Sequence, residues 1–396
     1  MRGRELLGFL GTRNVLPKYG FPTDVVELRT YHIPRPEAAR VELQRDLRMA
    51  ISEYAPGGEV VAAKRIWTGG GLYRLPERDW ETCYYAVCPD CGRFHSSKEA
   101  PPEHCVVCKA NLHRPPRRYG QFVVPEFGFI AGRETQEPSE DRPQRFYSSR
   151  VYFSDYDPGH EHEGEATIYE PVAELSGPAV QAVRRYSRYG ELALVNSGLA
   201  NSGFRICTTC GWAVPAEPLA AGRRPRPPAH ENPRTGQPCT GRIETYHLGH
   251  KFITDVLEIR FTGALARPDN ADLWLSTLYA LLEGASEALG IARDDLDGTL
   301  YPYQAGLAPA IVLFDNVPGG AGHVRRIGQA LPRVAWAAWE RVARCECGEE
   351  TSCYECLRSF GNQYCHDQLR RGLVRDFLSA VIQQQAGRDG ASGQEV

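Results

Sequence analysis

The sequence predicts an α+β fold, with a β-rich half to about residue 262 followed by a mainly helical half. Three observations carry this expectation. Short apolar segments broken by Gly, Pro and Asn fill the first two thirds and end at 255–261, where Leu257, Ile259 and Phe261 share one face. Beyond that point apolar residues recur at helical spacing, as in Leu275, Leu278, Leu282, Ala285 and Leu289. Thirteen cysteines fall almost entirely into three compact clusters.

Residues 1–82 read as a mixed α/β segment. A rigid turn spans 15–22, Val25, Val26 and Leu28 suggest a short strand, and Ala38 to Met49 has helical spacing. The next unit, 83–125, is built on Cys88-Pro-Asp-Cys91 and Cys105-Val-Val-Cys108. Each Cys-x-x-Cys turn aims two sulfurs at one point, so two turns on a hairpin close a tetrahedron. That is the geometry of structural zinc bound at about 2.3 Å. An odd cysteine count, with an N-terminus whose apolar stretch is too short for a secretory leader, argues against disulfides.

Residues 126–262 form the β-rich region with the second cluster. Strands are expected at 121–124 and 166–169, with an exposed polar loop over 132–164. Within it, His160 to Glu165 reads as a solvated run rather than a metal tract. Two short strands are expected within 191–206, and 221–230 reads as a loop. Cys207, Cys210 and Cys239 offer three sulfurs, and His230 lies between them. His247 and His250 compete for the fourth position, and three ligands plus a water stay open as an arrangement.

Residues 263–385 form the helical C-terminal domain. Asp269-Asn270 caps its first helix and Gly290 ends it. A buried strand at 310–314 leads into the turn 315–322. A second helix carries Leu331, Ala335, Trp339 and Val342 to the third cluster, Cys345, Cys347, Cys353 and Cys356. Four thiolates within a dozen residues repel unless a cation neutralises them. The spacing matches neither ferredoxin pattern, so zinc is favoured, with iron left open. Three zinc ions are expected. Cys83 and Cys365 read as buried thiols. A last helix, 368–385, precedes a disordered tail, 386–396.

A net charge of −3 provides no global field for nucleic acid, so any such contact must be local. No apolar run reaches 18 residues, so no membrane contact is expected, and reduced cysteines fit the cytoplasm. Arg184, Arg185, Tyr186, Arg188 and Tyr189 interleave cations with aromatics. This pattern suits phosphate contact and base stacking, or an amphipathic surface helix with half-buried tyrosines, the commoner reading. Arg117-Arg118-Tyr119, Arg223-Arg224 and Arg370-Arg371 are smaller patches. The turn 318–323, with Arg325 and Arg326 just after it, is either an anion site or, the favoured reading, a tight turn needing glycine. Asp255 and Asp315 sit at strand ends. No P-loop, Gly-x-Ser-x-Gly elbow or His-Glu-x-x-His is present.

Five blocks occur in order: Leu16 to Leu28, Gly203 to Gly211, Gly249 to Leu257, Asp315 to Gly322, and the closing four cysteines. Together they resemble DrmB, the helicase-associated subunit of the DISARM anti-phage system, over about residues 5 to 380. The last two blocks also resemble the zinc-binding C-terminal region of MrfA-type repair helicases. The resemblance implies a non-catalytic zinc module that partners a superfamily 2 helicase, helps it engage DNA and takes no small-molecule substrate. DrmB-like proteins usually carry a further region before the Leu16 block, so the chain reads as a shortened member or one with a misassigned start. The alternative is a metal-dependent nuclease or hydrolase using Asp255, Asp315 and a histidine such as His250 or His323.

Overall fold

The computed structural model describes residues 24–115, 118–138, 149–156, 168–217, 229–317 and 319–391. The Leu16 block up to Thr23, the 160–165 run, Arg117, Arg223-Arg224 and most of the 221–230 loop lie outside them.

The described part begins with β1 (Val25–Arg29), β2 (Gln44–Asp46), α1 (Leu47–Glu53), β3 (Glu59–Ala62) and β4 (Arg65–Leu72). It continues through β5 (Thr82–Val87), β6 (Phe94–Ser97), β7 (Tyr119–Val123), β8 (Phe129–Gln136) and β9 (Ser149–Tyr156). Next come β10 (Glu170–Pro171), β11 (Gln181–Asn196), β12 (Phe204–Cys207), β13 (Ala213–Pro215), β14 (His230–Glu231), β15 (Pro238–Cys239) and β16 (Ile243–Thr262). The C-terminal third adds α2 (Ala271–Leu289), β17 (Leu296–Tyr301), β18 (Ala310–Asp315), α3 (His323–Gln329), α4 (Leu331–Arg344) and α5 (Arg371–Ala391).

Strands β11 and β16 are the spine. They pair antiparallel from Gln181↔Thr262 to Asn196↔Leu248, with an irregularity between Ser187 and Gly190. Around them grows an 11-stranded sheet, while β2-β1-β8-β4-β3 make a separate five-stranded one. Strand β16 is covered on both faces and sends apolar side chains into two cores. Leu257, Ile259 and Phe261 face the core under α2, α4 and α5. Leu248, Phe252 and Val256 belong to a second core shared with β1, β4 and α1. Trp274 is fully buried and stacks on Phe261 at 6.0 Å between ring centroids. Replacing such a side chain by alanine costs about 3–5 kcal/mol.

The mixed α+β character stands, but the halves are not separate. Strand β18 pairs with Val256–Ile259 of β16, so the C-terminal third supplies strands to the same sheet. Other expectations need correction. Residues 184–189, weighed as a surface helix, lie in strand β11, because β16 offers them a partner. Of the expected 38–49 helix only 47–49 is helical, as the start of α1, where the Asp46 side chain accepts from Arg48 N. The expected 132–164 loop contains the end of β8 and all of β9, and the strand expected at 166–169 lies instead at Glu170–Pro171. The C-terminal α-helix starts at Arg371, after a 3-10 segment Phe360–Gln368, and extends to Ala391. Helix α2 is capped as expected: Asn270 accepts from Leu273 N at 3.0 Å, and Gly290 ends it with φ 63°.

Candidate metal centres

The first cluster hangs from the β5–β6 hairpin. The Cys88 carbonyl accepts from Gly92 N at 3.0 Å, and Gly92 has φ +80°, the left-handed turn that brings the next sulfur round. Lys109 repeats the device after Cys105 with φ 63°. The sulfurs meet at 3.4 Å (Cys88–Cys108) and 3.6 Å (Cys91–Cys105). A disulfide needs about 2.05 Å. The edge of a tetrahedron with bonds of about 2.3 Å is about 3.8 Å. The spacing therefore fits metal ligands and not a bridge.

The second cluster gathers Cys207, Cys210, Cys239 and His230, all donor atoms within 4.8 Å of one another. Its turn is docked on the five-stranded sheet through Leu72 N donating to Gly211 O at 2.8 Å. The two-residue pairing His230↔Cys239 carries the other two donors. His230 is buried against Trp212, 4.8 Å between ring centroids, and among the described residues its Nε2 has no hydrogen-bond partner. An orphaned buried nitrogen beside three thiols fits a metal ligand. The competing histidines are engaged elsewhere. His247 Nδ1 meets the Tyr85 hydroxyl, and burial pushes its pKa down to about 4, so the ring is neutral. His250 Nε2 lies 3.7 Å from Asp24 Oδ2.

The third cluster closes helix α4. Its sulfurs stand at 3.5 Å (Cys345–Cys347 and Cys345–Cys353), 3.8 Å (Cys347–Cys356) and 3.9 Å (Cys353–Cys356). Arg371 fastens it to the last helix by donating to Cys347 O at 2.7 Å and Val342 O at 2.9 Å.

The thiols are unequal. Burial opposes the Cys88 thiolate, but amides of Cys91 and Asp90 and neighbouring thiols offset it, so its pKa lies below the ordinary value. Cys207 and Cys353 behave alike. Burial pushes Cys210 up to about 12 and raises Cys91 and Cys356 as well. Each cluster thus has one thiol whose own turn favours the thiolate more than its neighbours' do.

The interleaved arginines do not form one patch. In a strand, side chains at alternate positions face opposite ways, which separates Arg184 and Tyr186 from Arg185. Arg184 donates to Glu170 Oε2 at 3.0–3.1 Å and also meets Gly328 O. Arg185 stacks on Tyr156, 3.6 Å from the ring centroid. Arg188 is exposed, and Arg325 lies 5.9 Å from the Tyr186 ring centroid. Arg326 donates to Leu289 O at 3.1 Å.

The glycine turn after β18 is filled by the protein's own carboxylates. Asp315 Oδ2 accepts from Ala321 N at 2.6 Å and His323 N at 3.0 Å, and Oδ1 accepts from Val324 N at 2.9 Å. Asp255 Oδ2 accepts from Gly322 N at 3.2 Å. A Cβ on Gly320 would lie 2.2 Å from Asp255 Cγ, so the turn needs glycine to wrap the acid. Burial, then the nearby Asp315 charge, pushes Asp255 up to about 6. With its N–H donors taken by two buried acids, the turn is not an anion site.

One constellation escaped the sequence reading. Buried Glu258 accepts from Arg260 Nε at 2.6 Å and from the Tyr169 hydroxyl at 3.0 Å, and also meets the Tyr156 hydroxyl. Arg260 is sandwiched by Tyr169 and Tyr303 at 4.1 and 3.8 Å, and Arg93 lies over Tyr301 at 4.0 Å. No local motif signals it, because its members come from five separate strands and loops.

Residues 277–357 match the family described as the MrfA Zn-binding domain, a span that includes the whole third cluster. The chain is 26% identical to Druantia protein DruE of Escherichia coli (strain UMEA 4076-1) over 96% of its own length, but spans 22% of that protein. It aligns over 87% of its length with 32% of the DUF1998 helicase MrfA in its crystal structure bound to DNA, at TM-score 0.38 and 10% identity. For MrfA bound to DNA and AMPPNP, the figures are 86% and 29%, TM-score 0.30 and 8% identity. Among the described residues no helix is long and apolar enough to cross a membrane. The match to a Zn-binding domain and the three four-donor groups support zinc as the metal.

Proposed function

We propose that the chain is a zinc-stabilised, non-catalytic module that helps a superfamily 2 helicase engage DNA in anti-phage defence, as a DrmB-type subunit does. The observation that carries this reading is the match of 277–357 to the MrfA Zn-binding domain, since it covers all four cysteines of the third cluster. The likeness to DruE, of which the chain spans 22%, supports a role in defence. In this reading each chain holds three zinc ions: at Cys88, Cys91, Cys105 and Cys108; at Cys207, Cys210, His230 and Cys239; and at Cys345, Cys347, Cys353 and Cys356. Four protein donors at each ion leave no position for a water, which supports structural metal over catalytic metal. A nuclease built on Asp255 and Asp315 is disfavoured, because backbone amides already occupy both oxygens of Asp315. Reduced thiolate sites suit the cytoplasm.

The test is co-expression with a candidate superfamily 2 helicase from the same genome. A stable complex is expected, with tighter DNA binding than the helicase alone. The isolated chain should hydrolyse no ATP. Failure to form any complex, or ATP turnover by the isolated chain, would sink the reading.

A further inference from the structure

The tip of the β14–β15 hairpin gathers positive charge. Its strands carry His230 and Cys239 to the second cluster, so the turn between them is anchored at both ends by candidate metal ligands. Asn232 fixes the turn from within: its Oδ1 accepts from Arg234 N at 2.9 Å, and its backbone O accepts from Gly236 N at 2.8 Å. Arg234 is exposed, with its guanidinium 5.4 Å from the Tyr73 ring centroid. Arg133, exposed on β8, reaches the same turn from another strand. A Cβ on Gly236, at φ +72°, would lie 2.9 Å from Arg133 Cζ, so only glycine lets the guanidinium rest there.

Both charges act on one ring. His32 donates from Nε2 to Ala131 O at 3.0 Å, and burial, then Arg133 and Arg234, hold its pKa below the ordinary value. Arg29 adds a third cation, 3.5 Å from the Tyr73 centroid, with Glu27 3.9 Å away. Elsewhere Arg74, Arg78 and Arg184 each meet a carboxylate, at 2.6, 3.1 and 3.0 Å. Among the described residues, the guanidiniums of Arg133 and Arg234 have neither a hydrogen bond nor a carboxylate within salt-bridge reach, and exposed Glu231 of the same hairpin pairs with neither. Like charges held together repel until an anion neutralises them. Next to His32 stands Tyr31, 58% exposed, its ring edge-on at 6.2 Å between centroids.

Accessible cations beside an exposed aromatic ring suit single-stranded nucleic acid, whose backbone takes the charges while an unstacked base takes the ring. An acidic peptide would satisfy the arginines but leave Tyr31 without a role. We propose that Arg133 and Arg234 contact phosphates of single-stranded DNA and that Tyr31 stacks on one of its bases. The proposal rests on the DNA-engaging role above and assigns it to the second cluster's hairpin rather than to the 184–188 strand.

The test uses the zinc-loaded full chain and a fluorescein-labelled oligothymidylate, titrated across a range of salt. Arg133→Gln and Arg234→Gln should each reduce the slope of log affinity against log salt by about 0.7, the value for one lost contact on a single strand. Tyr31→Ala should lower affinity about tenfold with the slope unchanged. Melting and zinc content check that each variant is folded. Arg234 donates nothing from its side chain, so Arg234→Gln keeps the test decisive even if Arg133→Gln disturbs the turn it rests on. If the wild-type chain binds single-stranded DNA and folded Arg234→Gln matches it in affinity and slope, the assignment is overturned while the DNA role stands. If the wild type binds no DNA with or without the helicase, both fall. Undiminished binding by Tyr31→Ala would overturn the single-strand form of the proposal. Equal competition by polyglutamate would replace DNA with an acidic peptide and overturn it altogether.

Discussion

The first and third cysteine clusters present the same four sulfurs but are built into the molecule in opposite ways. The first sits at the edge of the large sheet on β5 and β6, with a small apolar cluster of its own: Ala86, Cys88, Cys105 and Leu112. The third is part of the main core, where Cys356, Leu357 and Cys365 pack with the buried faces of α2, α4 and α5. One motif therefore serves as a peripheral staple in one region and as a core element in the other. Spacing in the sequence cannot distinguish these roles.

The largest effect is expected for Cys356→Ser. Structural zinc supplies on the order of 10 kcal/mol in finger-type sites, and here its loss also opens the main core. Thermal melting followed by circular dichroism should show the principal transition lost, and a variant that melts like wild type would break the comparison. Cys88→Ser should be milder. Metal analysis should fall from three zinc ions to two, with the main transition kept and faster hydrogen exchange confined to 83–125. If it unfolds as fully as Cys356→Ser, the first cluster is no satellite.

His230→Ala sharpens the contrast at the second cluster. Zinc affinity there should fall, and Trp212 emission should change because the ring stacked on it is gone. His247→Ala should leave zinc content unaltered.

The smallest expected effect concerns Asp255. Its folded pKa of about 6 lies above the ordinary 3.8, so the folded chain holds this proton more tightly than the unfolded one. The resulting stability is full below about pH 4 and is lost as pH rises to about 6. Asp255→Asn should flatten that window and raise stability near pH 7.5 by at most about 3 kcal/mol. Melting temperatures of both proteins from pH 4 to 8 measure it, and parallel curves would refute it.

What was legible in the sequence was local. Cys-x-x-Cys spacing, the Asn270 cap, the Gly290 stop and the buried strand before Asp315 depend on neighbours within a few residues. What was not legible depended on distant partners. Arg184 to Tyr189 is a strand because 254–259 lies alongside it. Asp255 and Asp315 meet only once β16 and β18 pair, and nothing near either residue signals a shared turn. The choice of His230 over His247 needed the pairing with Cys239 and the engagement of His247 by Tyr85.

The position of the second cluster has a consequence for the order in which the chain assembles. Strands β11 and β16 must find each other across a long intervening segment, 197–242, and such non-local pairing is slow because closure entropy is lost before contacts form. Cys207 and Cys239 lie near the two ends of that segment, 3.9 Å apart. A metal that joins them early cuts out most of the loop and removes roughly 1 kcal/mol of its closure cost. Such an ion would act as a kinetic splint for the long β11–β16 ladder, setting when the spine zips as well as how firmly it holds.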